Sequence, residues 1–166
     1  MRATLRIYSL IIGIFLLNTS NGYASVDGQA APDFVINTPQ LTGSLTGLQG
    51  KVIYVDFWAS WCKPCRKSFP WMNDMQAKYP KDLQIIAINL DAEPELAAAF
   101  LAKVPATMPI IYDPQGDIAK AYQLLGMPSS YLIDKKGKLR FAHKGFFSEK
   151  EALYENEIST LLNEQE

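Results

Sequence analysis

The 166-residue sequence is poor in the residues that hold metals and cofactors: it has two cysteines, Cys62 and Cys65, and one histidine, His143. A closed zinc site takes four ligands, and an iron–sulfur cluster normally takes four cysteines. Covalent haem attachment takes a histidine directly after the second cysteine, where this chain has Arg66. All three readings fail on ligand count, so no cofactor or metal is expected, and His143 reads as an ordinary polar residue on a late strand. Excess charge is also missing. The formal net charge of -1 gives no reason to expect a nucleic-acid partner. There is no low-complexity tract and no internal repeat, and the length suits one domain plus a short leader.

The apolar stretch Ile7 to Leu17 is shorter than the roughly 20 residues a membrane-spanning helix needs. Arg2 and Arg6 precede it, and the small residues of Gly22-Tyr23-Ala24 follow it. That pattern is an export signal over residues 1–24, cut after Ala24, with an uncleaved membrane anchor as the alternative. Residues 25–166 then form the domain. In either case it faces an oxidising, periplasmic or other extracytoplasmic compartment.

With apolar residues at 48%, the chain has material for a substantial core. Ser25 to Gln29 reads as a loose start, and an ordered segment opens at Ala30-Ala31-Pro32-Asp33-Phe34. Lys51 to Trp58 and Leu83 to Leu90 are short apolar runs rich in β-branched residues, which predicts buried strands. A helix is expected to begin at the cysteines and run towards Tyr79, where Pro80 stops it. Glu93 to Lys103 and Asp117 to Leu125 read as further helices, and Met108 to Tyr112 as a short strand. Ser130 to Ile133 and Leu139 to His143 read as a hairpin around Asp134-Lys135-Lys136-Gly137. Ser148 with Glu151 suggests a capping box that opens a last helix to about Asn163. The order predicts an α/β fold with a mixed central sheet flanked by helices.

The two cysteines stand in Trp61-Cys62-Lys63-Pro64-Cys65. A bridge between them closes a very short loop and removes little entropy from the unfolded chain. Such a bridge suits redox chemistry better than stapling. Their place, where a buried strand hands over to a helix, matters chemically: free N–H groups and the positive dipole end stabilise a thiolate. Cys62 is thus the expected nucleophile and Cys65, one turn in, the resolving thiol. Pro64 fits a first helical turn, and Lys63 is either a local positive charge or a solvated surface lysine. Asp56 lies inside the apolar run KVIYVDFW. Desolvation would raise its pKa, which suits a proton acceptor for Cys65; the alternative is a solvent-facing strand position.

The segment from Val55 to Cys65, VDFWASWCKPC, resembles the active-site segment of thioredoxin-fold proteins. Pro70 matches the helix-kinking proline of that family, and Met127-Pro128 its cis-proline element beside the cysteines. Among branches the chain is similar to the TlpA-like (ResA/DsbE-like) exported thiol–disulfide oxidoreductases, from about Ala30 to Asn163. Ala31-Pro32-Asp33-Phe34, the extra βα segment from about Glu93 to Tyr112, and the stretch Leu132 to Lys138 carry that likeness. The resemblance implies a thioredoxin-like domain with an N-terminal extension, and substrate contacts at Trp61, Lys63, Pro64, Met127 and Pro128. It implies reduction of disulfides in exported proteins, with apocytochrome c among the substrates, and a membrane electron donor of the DsbD/CcdA type. A monomer is expected. Two positions depart from the branch. Ser68 stands where many members have glutamate, and Asp56 where many have asparagine. Aspartate is the thioredoxin choice, but the lysine that accompanies it there is replaced by Ala87.

Other readings stay open. A disulfide oxidase or isomerase would use the same pair at a different potential. Ala31-Pro32-Asp33-Phe34 also resembles the opening of thiol peroxidases of the peroxiredoxin type, although Ala59 replaces their threonine. A non-catalytic binding protein on the same fold is the third class.

Overall fold

A computed structural model of the chain describes residues 28–165. The export segment expected over residues 1–24 and the first residues of the loose start lie outside them. Among the described residues, no helix is long and apolar enough to cross a membrane.

Two short strands, β1 (Val35–Asn37) and β2 (Thr42–Ser44), form an antiparallel hairpin. The chain continues through β3 (Val52–Trp58), α1 (Cys65–Lys78), β4 (Leu83–Asn89) and α2 (Pro94–Leu101). It then forms β5 (Ile110–Tyr112), α3 (Asp117–Ala121), β6 (Ser129–Ile133), β7 (Leu139–Lys144) and α4 (Glu151–Asn163). The main sheet has the order β5-β4-β3-β6-β7. β3, β4 and β5 run parallel, whereas β6 and β7 are antiparallel additions. This is the mixed sheet that the sequence predicts.

Every residue of β3 is buried, because both faces of the sheet are covered. Side chains alternate, so Val52, Tyr54, Asp56 and Trp58 point to one face and Ile53, Val55 and Phe57 to the other. The first face packs on Phe69 and Met72 of α1, Phe100 of α2 and Tyr154 and Ile158 of α4. The second packs on Phe34, Ile36 and Leu45 around the hairpin and on Ala119 and Tyr122 at α3. Three layers result, with Asp56 in the middle of the central one.

Several boundaries differ from the sequence reading. The first helix begins at Cys65, not at Cys62; a turn from Cys62 N–H to the Ala59 carbonyl (3.0 Å) occupies the preceding residues. The helix expected to reach Leu125 stops at Ala121. Gln123 takes a left-handed φ of 51°, and the Tyr131 hydroxyl donates to the Tyr122 carbonyl (2.9 Å), closing that helix end from outside. The strand expected from Met108 starts at Ile110, because Pro109 has no N–H for the ladder and contributes only its carbonyl, to Ala87 N–H. The capping box is not made. Ser148–Lys150 forms a 3-10 turn instead, and α4 starts at Glu151 without a side-chain cap. The sequence carries no signal for the β1–β2 hairpin, since three-residue strands have too little alternation to register.

Candidate active site

β3 delivers the chain to the site. Its last residue, Trp58, is followed by Ala59 and Ser60 and then by the exposed Trp61, at 67% exposure. Cys62 and Cys65 are joined by a disulfide, with their Cα atoms 5.4 Å apart. Cys62 stands just ahead of α1 and Cys65 is its first residue, so the pair straddles the positive end of the helix. Cys62 is 3% exposed and Cys65 is fully buried. Lys63 and Pro64 between them are exposed.

The opposite wall comes from β6. Because Phe57 pairs with Ser129, the start of β6 lies at the same sheet end as the cysteines. The Met127–Pro128 peptide directly before it is cis. Met127 packs on the cluster that contains both cysteines. The loop is tied by Gly145 N–H to the Pro128 carbonyl (2.7 Å) and by the Ser129 hydroxyl to the Gly126 carbonyl (2.7 Å). Trp61, Lys63 and Pro64 adjoin the cysteines along the chain, and Met127 and Pro128 lie at the same end of the sheet.

Asp56 lies beneath this surface, 1% exposed, on the face that α1 and Cys65 cover. Its Oδ2 has no hydrogen-bond partner among the described residues. Burial pushes its carboxyl well above the ordinary carboxylate range. On one side its ladder partner is Ala87, on the other Ser130. Ser68, three residues along α1 from Cys65, is fully buried and donates its hydroxyl to the Cys65 carbonyl (3.1 Å). That hydroxyl is occupied and is no carboxylate substitute. Pro70 lies inside α1 and removes the bond that its N–H would give to the Arg66 carbonyl.

One residue of the site escaped the sequence reading. Asp91, 3% exposed, lies just past the end of β4. It accepts from Ser60 N–H (2.9 Å), the Ser60 hydroxyl (2.9 Å) and the Asn89 side-chain amide (2.8 Å). Leu90 N–H donates to the Trp58 carbonyl (2.9 Å) beside it. Together these bonds pin the loop that leads into Trp61 and Cys62. The available signal was an acid directly after a buried strand that runs parallel to β3, and therefore ends at the same edge.

The redoxin family model matches residues 26–158 of this chain. Thioredoxin-like protein YneN of Bacillus subtilis (strain 168) is 36% identical over 131 residues, covering 75% of each chain. Thiol-disulfide oxidoreductase ResA of Bacillus thuringiensis subsp. konkukian is 37% identical over 122 residues, 71% of this chain and 69% of its own. A crystal structure from Chlorobium tepidum, assigned to thiol:disulfide interchange protein DsbE, superposes with a TM-score of 0.78. It is 46% identical, covering 82% of this chain and 98% of the other. With a disulfide-bonded Cys-x-x-Cys pair at the head of α1 and a thioredoxin-like sheet behind it, the chain belongs to the redoxin family, as a thiol–disulfide oxidoreductase of the ResA/DsbE-like branch.

Proposed function

We propose that the protein is an exported reductase of protein disulfides. The observation that carries this reading is the Cys62–Cys65 pair at the amino end of α1 with the buried Asp56 carboxyl on the covered face behind it. The reduced Cys62 thiolate attacks a substrate disulfide, forms a mixed disulfide and releases one substrate thiolate. The Cys65 thiol gives its proton to the Asp56 carboxylate. The Cys65 thiolate then attacks the Cys62 sulfur and releases the second substrate thiolate, leaving the intramolecular disulfide. Two electrons reach the substrate. A raised carboxyl pKa supports the acceptor role, because it narrows the gap between acid and thiol. Trp61, Lys63, Pro64, Met127 and Pro128 form the substrate-contacting rim.

The leader pattern at residues 1–24 and the ResA and DsbE relatives support an extracytoplasmic location, with the N-terminal segment either removed or kept as a tether. Apocytochrome c cysteines are the substrate class this reading favours, and a membrane donor of the DsbD/CcdA type returns the dithiol. A Cys65→Ser variant, expressed in the native host, traps partners on Cys62 and names the substrates. The reduction potential tests the direction: a value as oxidising as that of DsbA overturns the reductase reading in favour of an oxidase or isomerase.

A further inference from the structure

The cis-proline loop has a neighbour on β7. Lys144, the last residue of that strand, pairs with Ser129 at the start of β6. Its Cε lies 3.5 Å from the place a Cβ on Gly126 would take, so its stem runs beside the loop that holds Met127 and Pro128. The next residue, Gly145, gives its N–H to the Pro128 carbonyl (2.7 Å). Gly145 has a φ of 84°, and a Cβ there would stand 3.0 Å from the Phe147 ring. Glycine therefore lets that ring fold back against the backbone that carries the Pro128 bond. Phe147 stays half-exposed, and Leu125, at the other end of the loop, is 85% exposed.

Charge is spread unevenly over this edge. Residues 59–67, 123–129 and 143–147 contain Lys63, Arg66, Lys67 and Lys144 and no acid, although the whole chain has a net charge of -1. All four cations are exposed, and none makes an ion pair among the described residues. Arg66 is drawn towards α2, with its guanidinium 4.9 Å from the Phe100 ring centroid. Acids begin outside these segments. Asp91 is buried and bonded to Ser60, Glu93 and Glu95 stand at the head of α2, and Glu149 follows in the 3-10 turn after Phe147. Beside Glu149, Lys150 places its Nζ 5.1 Å from the Phe147 ring centroid. A polypeptide that brings a disulfide to Cys62 thus meets Lys63 next to the nucleophile and Lys144 beside the cis-proline loop, both without a counter-charge.

We propose that Lys144, together with Lys63, selects polypeptide substrates whose disulfide is flanked by acidic side chains. The inference rests on the reading of Cys62 and Cys65 as a reductase of protein disulfides, and it names the class of segment they take. Unpaired cations on a contact edge speed encounter with an acidic partner and disfavour a basic one. Leu125 and Phe147, apolar and exposed on the same strip, suit a polypeptide rather than a free anion. An anionic lipid surface shares the charge but brings no disulfide to Cys62. Lys144 is a specificity-determining residue and takes no part in electron or proton transfer.

The test compares two peptides of equal length, each closed by one disulfide, with glutamates or with lysines flanking the cysteines. The pre-reduced full chain is mixed with each in a single turnover. Two electrons pass from the Cys62–Cys65 dithiol to the peptide; the peptide disulfide breaks as the Cys62–Cys65 bond forms. The acidic peptide is expected to react about tenfold faster at low salt. In about 0.5 M salt the ratio is expected to fall below about two, because screening removes the field. Lys144→Gln is expected to lower the low-salt ratio about threefold, and Lys144→Glu to bring it to about one or below. A merely structural effect changes both rates by one factor and leaves the ratio unmoved. That result, or equal rates for the two peptides on the unsubstituted protein, overturns the proposal while the reductase reading stands. If the reduced protein reduces neither peptide nor a small neutral disulfide, the reductase reading fails and the proposal falls with it. Equal peptide rates, together with binding to phosphatidylglycerol vesicles that Lys144→Glu weakens, assign the lysines to a lipid surface and overturn it as well.

Discussion

Asp56 and Ala87 face each other across the parallel β3–β4 ladder, and the alanine offers no cation to the buried carboxyl. Its folded-state pKa is raised by burial. The folded protein thus holds this proton more tightly than the unfolded chain does. The resulting stabilisation is complete below the unfolded carboxyl range and is lost as pH rises through the folded value. Asp56→Asn is therefore expected to raise stability at about pH 8, by on the order of 1–3 kcal/mol, and the gain is expected to vanish near about pH 4. Urea unfolding at both pH values checks this; a loss of stability at the higher pH contradicts it.

Asp91 tests how much the site depends on its approach loop. Asp91→Ala strips Ser60 of its acceptor for both N–H and hydroxyl. The expected cost is about 2–4 kcal/mol, since hydrogen bonds to a charged acceptor contribute more than neutral ones. Insulin-disulfide reduction should fall several-fold as well, because the loop carries Trp61 and Cys62. A thermal melt and a turbidity assay on the same sample separate the two effects.

Trp61 should behave in the opposite way. At 67% exposure it has little folding energy to lose. Trp61→Ala is expected to change stability by less than about 0.5 kcal/mol. For a folded protein disulfide, KM should rise about tenfold, in keeping with an exposed aromatic at a contact surface. Turnover of a small disulfide should hold steady. Equal losses on both substrates would remove Trp61 from the docking rim.

Phe69 anchors α1 to the sheet. It is fully buried, with ring centroids 4.9 Å from Trp58 and 5.2 Å from Phe100. Phe69→Ala is expected to cost about 3–5 kcal/mol in denaturant unfolding. The helix end that carries Cys65 loosens with it, so the disulfide should be reduced faster by a small thiol. An unchanged reduction rate would separate the anchoring of α1 from the reactivity of the pair.

The sequence was most legible where burial is two-sided and chemistry is local. β3 and β4 stand out as unbroken apolar runs because both of their faces are covered. Asp56 stands out for the same reason, as a charge inside such a run. Less legible were features set by distant partners. α3 ends early because Tyr131 reaches back to the Tyr122 carbonyl, and nothing near Gln123 in the sequence announces this. Asp91 gains its role from Ser60, 31 residues away, and the partner of His143 is Glu157 on the last helix. The local pattern at Ser148 suggested a cap, but the tighter turn over Ser148–Lys150 prevailed.

The far edge of the sheet has its own consequence. Gly28 N–H donates to the Leu139 carbonyl (2.9 Å), and Ala31 N–H to the Gly137 carbonyl (3.0 Å). Lys135 Nζ donates to the Leu162 and Glu164 carbonyls, and Arg140 binds the Glu164 carboxylate. Both ends of the described chain are thus moored at the β6–β7 turn, across the sheet from Cys62. A leash fastened to either end would hold the molecule by its heel. The reactive disulfide would then be presented outward, towards whatever approaches, whichever end is held.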